Sequence, residues 1–159
     1  RMSMNKTALS LCLAGIIALP GLAQARPLTL TAQMKNYSGD GAYLAIYVTD
    51  AAGQYQKTLW VSGRKAKYYK HLRDWARGSG MNRAEFDGVS GASVGSGQSL
   101  KVTVDLADTL LDAGYEIRVD SAVEDGRDNA ADVRTPLTAA GAGKPASGRG
   151  YVQSLTYDM

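Results

Sequence analysis

Few residues of this chain have the types and spacing for chemistry. His71 is the single histidine, and Asp74 follows it by three positions, so a His–Asp hydrogen bond on one helix face is feasible. A serine nucleophile to accompany it is missing, because no Ser stands in a G-x-S-x-G elbow. One His, with no Cys beyond Cys12, does not supply a zinc ligand set. Glu124-Asp125 has the side chains of a carboxylate dyad, but nothing in the spacing separates such a pair from a solvated loop. There is no Walker loop and no G-x-G-x-x-G after a strand pattern, so the usual backbone cradles for a nucleotide are not in place. One constellation is left: Asp87-Gly88-Val89-Ser90-Gly91-Ala92-Ser93, a carboxylate and two hydroxyls around a small Gly-Ala pair.

That heptapeptide resembles the D-x-x-[S/T]-G-A-[T/S] acceptor sequence on which FAD:protein FMN transferases place a covalent FMN, as in subunits of the sodium-translocating NADH:quinone reductase and in FMN-binding domains. The resemblance implies that Ser93 is the acceptor and becomes a phosphoester of FMN, with Asp87 the leading carboxylate, Ser90 the central hydroxyl and Gly91-Ala92 the small pair. Thr is the commoner acceptor and Ser the permitted variant. Elementary chemistry agrees. Transfer to a hydroxyl needs an exposed acceptor that reaches a metal-bound diphosphate in line, and only a thin loop enters another enzyme's active site. Gly91 and Ala92 make this loop thin. The plain alternative is a Gly-rich turn that merely contains Ser and Ala.

The elements that must position the heptapeptide are mostly strands. Leu28, Leu30, Ala32 and Met34 alternate with polar residues at period two. Residues 42–49 and 55–61 are rich in aromatic and β-branched side chains and flank a turn at Gly53, which predicts a hairpin. Over residues 65–77 the period changes, and Tyr68, Leu72 and Trp75 form a stripe, predicting a helix of three to four turns that ends at Gly78. Residues 78–98 then form a Gly/Ser-rich loop, and a loop of about twenty residues is uncommon in a compact domain unless it serves a function. Strand patterns return at residues 100–104, 115–123 and 151–157, while residues 125–150, rich in Asp, Ala, Gly and Pro, read as a surface connection. This order predicts a mainly β fold, an immunoglobulin-like β-sandwich with one short helical insertion. A tethered flavin would need an aromatic surface beside the loop. Tyr69, about 100° from the apolar stripe, is the candidate contact, and Lys70 and Arg73 are candidates to favour the phosphate and the anionic reduced ring.

Composition limits the function further. The 159 residues are 45% hydrophobic and 21% charged, as an ordinary single domain is. Residues 1–25 read as a cleaved signal peptide: Lys6 supplies the positive charge, residues 7–19 the apolar stretch, and Ala23-Gln24-Ala25 the small-x-small cleavage site. The domain is then residues 26–159. Cleavage removes Arg1 and Lys6, which lowers 18 basic residues to 16 against 15 acidic ones and argues against non-specific nucleic-acid binding. Cys12 leaves with the signal, so disulfides, thiol catalysis and cysteine-ligated metals are excluded from the mature chain. No second apolar run approaches the roughly 20 residues a membrane span needs. Charge is uneven all the same. Residues 64–83 hold seven basic side chains against Asp74, and residues 105–132 hold nine acidic ones against Arg118 and Arg127.

The runs at residues 42–50, 58–60, 67–75, 87–93 and 114–124 are similar to a family of predicted periplasmic proteins of unknown function. Its members often accompany PepSY-type transmembrane proteins and the FAD:protein FMN transferase. The resemblance implies a periplasmic redox carrier, rather than an enzyme with its own substrate. It would bear covalent FMN on Ser93, take electrons from a PepSY-type membrane protein and pass them to an acceptor such as a metal or an iron chelate. The contrasting reading is a flavin-free immunoglobulin-like binding or assembly module whose partner surface is the basic helix and its exposed aromatics.

Overall fold

The computed structural model describes residues 24–159; residues 1–23, which hold nearly all of the expected signal peptide, lie outside the described residues. In chain order the strands are β1 (Ala25–Met34), β2 (Tyr43–Thr49), β3 (Tyr55–Ser62), β4 (Ser90–Gly91), β5 (Ser99–Ala107), β6 (Glu116–Ala122), β7 (Asp128–Pro136), β8 (Ala146–Ser147) and β9 (Val152–Asp158). They form two sheets, ordered β5-β1-β9-β8 and β4-β3-β2-β6-β7. Pairing is antiparallel except between β3 and the two-residue β4, which run parallel. The result is the mainly β sandwich with a helical insertion that the sequence predicts.

Period-two burial explains why the sheets face each other. Leu28, Leu30, Ala32 and Met34 of β1 meet Leu44, Ile46 and Val48 of β2, with Ile117, Val119, Val133 and Leu155 completing the shared core. Strand β2 departs from alternation: residues 44–49 are buried without a break. Its even positions enter the sandwich core, while Ala45 and Tyr47 enter a second cluster with Val61, Tyr69, Leu72, Trp75 and Ala122. The helical insertion therefore forms a third layer on the outer face of the larger sheet. A strand covered on both faces reads as a continuous apolar run, and residues 42–48 read that way.

The insertion corrects the single helix expected over residues 65–77. It is a 3-10 segment, Ala66–His71, followed after Leu72 by α1 (Arg73–Ser79), which ends at a left-handed Gly80 (φ 67°). Its buried residues explain the change. Tyr69, Leu72 and Trp75 are spaced by three, which is the 3-10 repeat and not the α-helical one. A second correction concerns residues 125–150. They contain β7, a nine-residue strand at the edge of the larger sheet, and the short β8. The apolar signal of β7 is weak because Asp132 takes a buried position beside Val133. Its carboxylate accepts hydrogen bonds from Ser121 Oγ at 2.6 Å, from the Arg149 and Gly150 amides at 2.7 Å, and from the Val152 amide at 3.1 Å. A carboxylate so supplied with donors is stable in a buried place without a cation.

Candidate functional site

The heptapeptide is pinned at several points. Phe86, directly before Asp87, packs edge-on against Tyr69 (ring centroids 5.2 Å apart) and against Trp75 (6.0 Å). The Val61 amide donates to the Val89 carbonyl at 3.0 Å, and the Gly63 amide donates to the Gly91 carbonyl at 2.8 Å, so Ser90-Gly91 is held as β4. Beyond them Val94 is buried and exchanges both backbone hydrogen bonds with Ala42, at 2.7 and 3.0 Å. Ala92 and Ser93 are the two residues between these clamps, and both are exposed.

Glycines make room for this path. A Cβ on Gly91 would stand 2.8 Å from the Trp60 ring, and one on Gly41 would stand 2.5 Å from Ser93 Oγ. Gly88 adopts φ +81° with no heavy atom within 4 Å of a Cβ placed on it, which leaves open space beside Asp87. The Asp87 side chain is 65% exposed and forms a long ion pair with Arg83, at 4.0 Å.

Direction follows from the bridge. Ala42 and Val94 both turn into the sandwich core, so their neighbours Gly41, Tyr43 and Ser93 turn to the outer face of the larger sheet. Ser93 and Tyr43, which flank the antiparallel Ala42–Val94 bridge, therefore share a face. On that face lies a cleft of about 250 Å³ lined by Tyr43, Tyr68, His71, Glu124, Asp125 and Asp128, among others. The Tyr43 and Tyr68 rings meet edge-on at 5.7 Å. His71 Nδ1 is 3.0 Å from Asp128 Oδ2, and Arg73 Nε donates to the same oxygen at 3.3 Å. A hydrogen bond to Glu124 pushes the Tyr68 phenol above its ordinary pKa. The Tyr43 hydroxyl accepts from the Lys65 amide at 3.0 Å, which ties this ring to the helical layer.

The expected site residues separate under this geometry. Asp87, Ser90, Ala92 and Ser93 are exposed and Gly91 is half-buried under Trp60. Lys70 and Arg73 are exposed, but neither lines the cleft, and Arg73 is engaged with Asp128. The proposed contact surface at Tyr69 is corrected: its ring is 4% exposed, and its hydroxyl donates to the Gly63 carbonyl at 2.8 Å. Burial raises its pKa. Tyr69 thus supports the loop from below, through Phe86 and Gly63, while Tyr68, assigned to the core stripe, is the half-buried ring on the cleft. The exchange follows from the spacing of three in the buried set. His71 pairs with Asp128, on another strand, and not with Asp74, which accepts from Arg77 Nη1 at 3.0 Å.

Sequence reasoning passed over Gly41, Tyr43, Gly63, Phe86 and Asp120. Asp120 is fully buried and accepts from the Tyr47 hydroxyl at 2.7 Å and from the Trp75 and Ala131 amides at 2.8 Å, fastening the start of α1 to β6. The one available signal for it was an Asp inside the apolar alternation of residues 115–123.

One family model, described as a predicted periplasmic protein (DUF2271), matches residues 25–154. No curated protein and no solved structure matches the chain. Among the described residues no helix is long and apolar enough to cross a membrane.

Proposed function

The chain belongs to this family of predicted periplasmic proteins, and from that premise we propose that it is an exported electron carrier with one covalent FMN on Ser93. The observation that carries the reading is the placement of Ala92-Ser93 as an exposed pair between two hydrogen-bonded clamps. A pinned acceptor loses little freedom when a second enzyme grips it, and that lowers the entropic part of the transfer barrier.

The residues present fit the group. Gly41, lacking a side chain, makes room for the Ser93 side chain on the outer face, and the open space at Gly88 keeps Asp87 accessible to an incoming transferase. In the attachment step Ser93 Oγ attacks the FMN-side phosphorus of FAD. The Oγ–P bond forms, the diphosphate P–O bond breaks, AMP leaves, and the hydroxyl proton passes to a base of the FAD:protein FMN transferase. When bound, the flavin supplies reversible electron transfer, accepting electrons from a PepSY-type membrane redox protein and yielding them to an oxidant such as a metal or iron chelate. The chain's own residues present the hydroxyl, keep the loop in place and exclude the backbone of residues 89–91 from other pairing.

Intact-mass measurement after co-expression with the transferase and a supply of FAD tests this. The wild-type chain gains the mass of one FMN, and Ser93→Ala stays bare. A wild-type mass equal to the bare polypeptide, under conditions that modify a known acceptor, overturns the reading and leaves a flavin-free binding module.

A further inference from the structure

Resting on that reading, we propose that the isoalloxazine ring lodges in the cleft walled by Tyr43 and Tyr68, with Glu124 and the His71–Asp128 pair at its polar edge. Three observations lead there. The first is position. Ser93 and Tyr43 flank the antiparallel Ala42–Val94 bridge and lie on one face of the larger sheet, so a flavin tethered through its phosphate at Ser93, whose Oγ sits over Gly41, starts beside the Tyr43 wall of the cleft.

The second is the character of the walls. A flat tricycle needs apolar and aromatic surface with a few fixed polar groups, and the cleft offers two tyrosine rings, Ala122 and Val123 beside them, and a carboxylate rim. The ring presents one imide N–H and two carbonyls. Glu124 or Asp128 accepts from the N–H, and a His71 N–H donates to a carbonyl. The third is charge. Glu124, Asp125 and Asp128 face the cleft, with His71 as the one basic lining residue among the described residues, and Arg73 is tied to the rim from outside. That field repels a phosphate and tolerates a neutral ring. It sets the orientation, with phosphate at Gly41 and ring inward.

Tyr69 and Trp75 are buried in the layer beneath and are not available as a wall. Tyr68 is half-buried and outside both core clusters, so its replacement leaves the fold in place.

The experiment uses chains whose FMN content is first fixed by intact mass. In the wild-type protein flavin fluorescence is quenched relative to free FMN, because a tyrosine in contact quenches the excited ring, and iodide in solution quenches the remaining emission weakly. In Tyr68→Leu the emission rises several-fold and becomes iodide-sensitive, whereas Tyr68→Trp keeps it quenched. A fully modified wild-type chain as bright and as iodide-sensitive as free FMN overturns the seat, as does a Tyr68→Leu chain indistinguishable from wild type. A chain that carries no FMN by mass overturns the attachment at Ser93 instead, and the seat with it.

Discussion

Asp120→Ala is the substitution that most directly tests how the helical layer is held. The carboxylate is fully buried, no cation among the described residues pairs with it, and it accepts three hydrogen bonds, from the Tyr47 hydroxyl at 2.7 Å and from the Trp75 and Ala131 amides at 2.8 Å. Hydrogen bonds to a charged acceptor contribute roughly 1.5–3 kcal/mol each, and their loss leaves three buried donors without partners. Against that, removal of a buried charge recovers a desolvation cost of several kcal/mol. The net loss is about 3 kcal/mol, which for a domain of this size lowers Tm by about 10 °C. Urea unfolding followed by circular dichroism measures it, with an unchanged m-value showing that the same surface is exposed on unfolding. A loss under about 1 kcal/mol would mean that water or Tyr47 rotation satisfies the donors, and the clamp would not be what holds α1. The sign with pH can be checked on the same sample. Burial raises the Asp120 pKa above its ordinary value despite the three donors. The folded state therefore binds this proton more tightly than the unfolded state. The contribution of Asp120 is full below the ordinary carboxylate pKa of about 4 and is lost as pH rises through the raised folded value. Asp120→Asn lacks that decline, so the stability difference between the two proteins changes across this window; parallel curves would refute the reasoning.

Two further outcomes concern the loop and its surroundings. Asp87→Ala alters an exposed loop carboxylate, so unfolding free energy stays within about 0.5 kcal/mol of wild type. The proposed FMN transfer, followed by mass against time, slows strongly, and modification at the wild-type rate would make the matching Asp incidental. On the proposed flavin carrier, neutralising Lys70 and Arg73 together lowers the midpoint potential, because positive charge favours the anionic reduced ring, and the drop shrinks as salt is added. An unchanged potential at low ionic strength would assign both residues to the solvated surface.

The sequence alone carried those features that are local in cause. Alternation at Leu28, Leu30, Ala32 and Met34 determined a strand and its buried face, the hairpin at Gly53 followed from turn chemistry, and the Asp87 to Ser93 pattern marked its own exposed loop. Tertiary structure decided whatever depends on a partner remote in sequence. Whether Tyr68 or Tyr69 faces solvent turns on a spacing of three imposed by the outer face of β2, where Ala45 and Tyr47 wait to be covered. β7 escaped notice because Asp132 is buried by donors from residues 149–152, which no local pattern announces. The setting of Ser93 depended on Gly41, about fifty positions earlier, and on the bridge between Ala42 and Val94. Periodicity reports which face of an element seeks burial; the identity of what it is buried against is set only when the sheets pair and the layers pack.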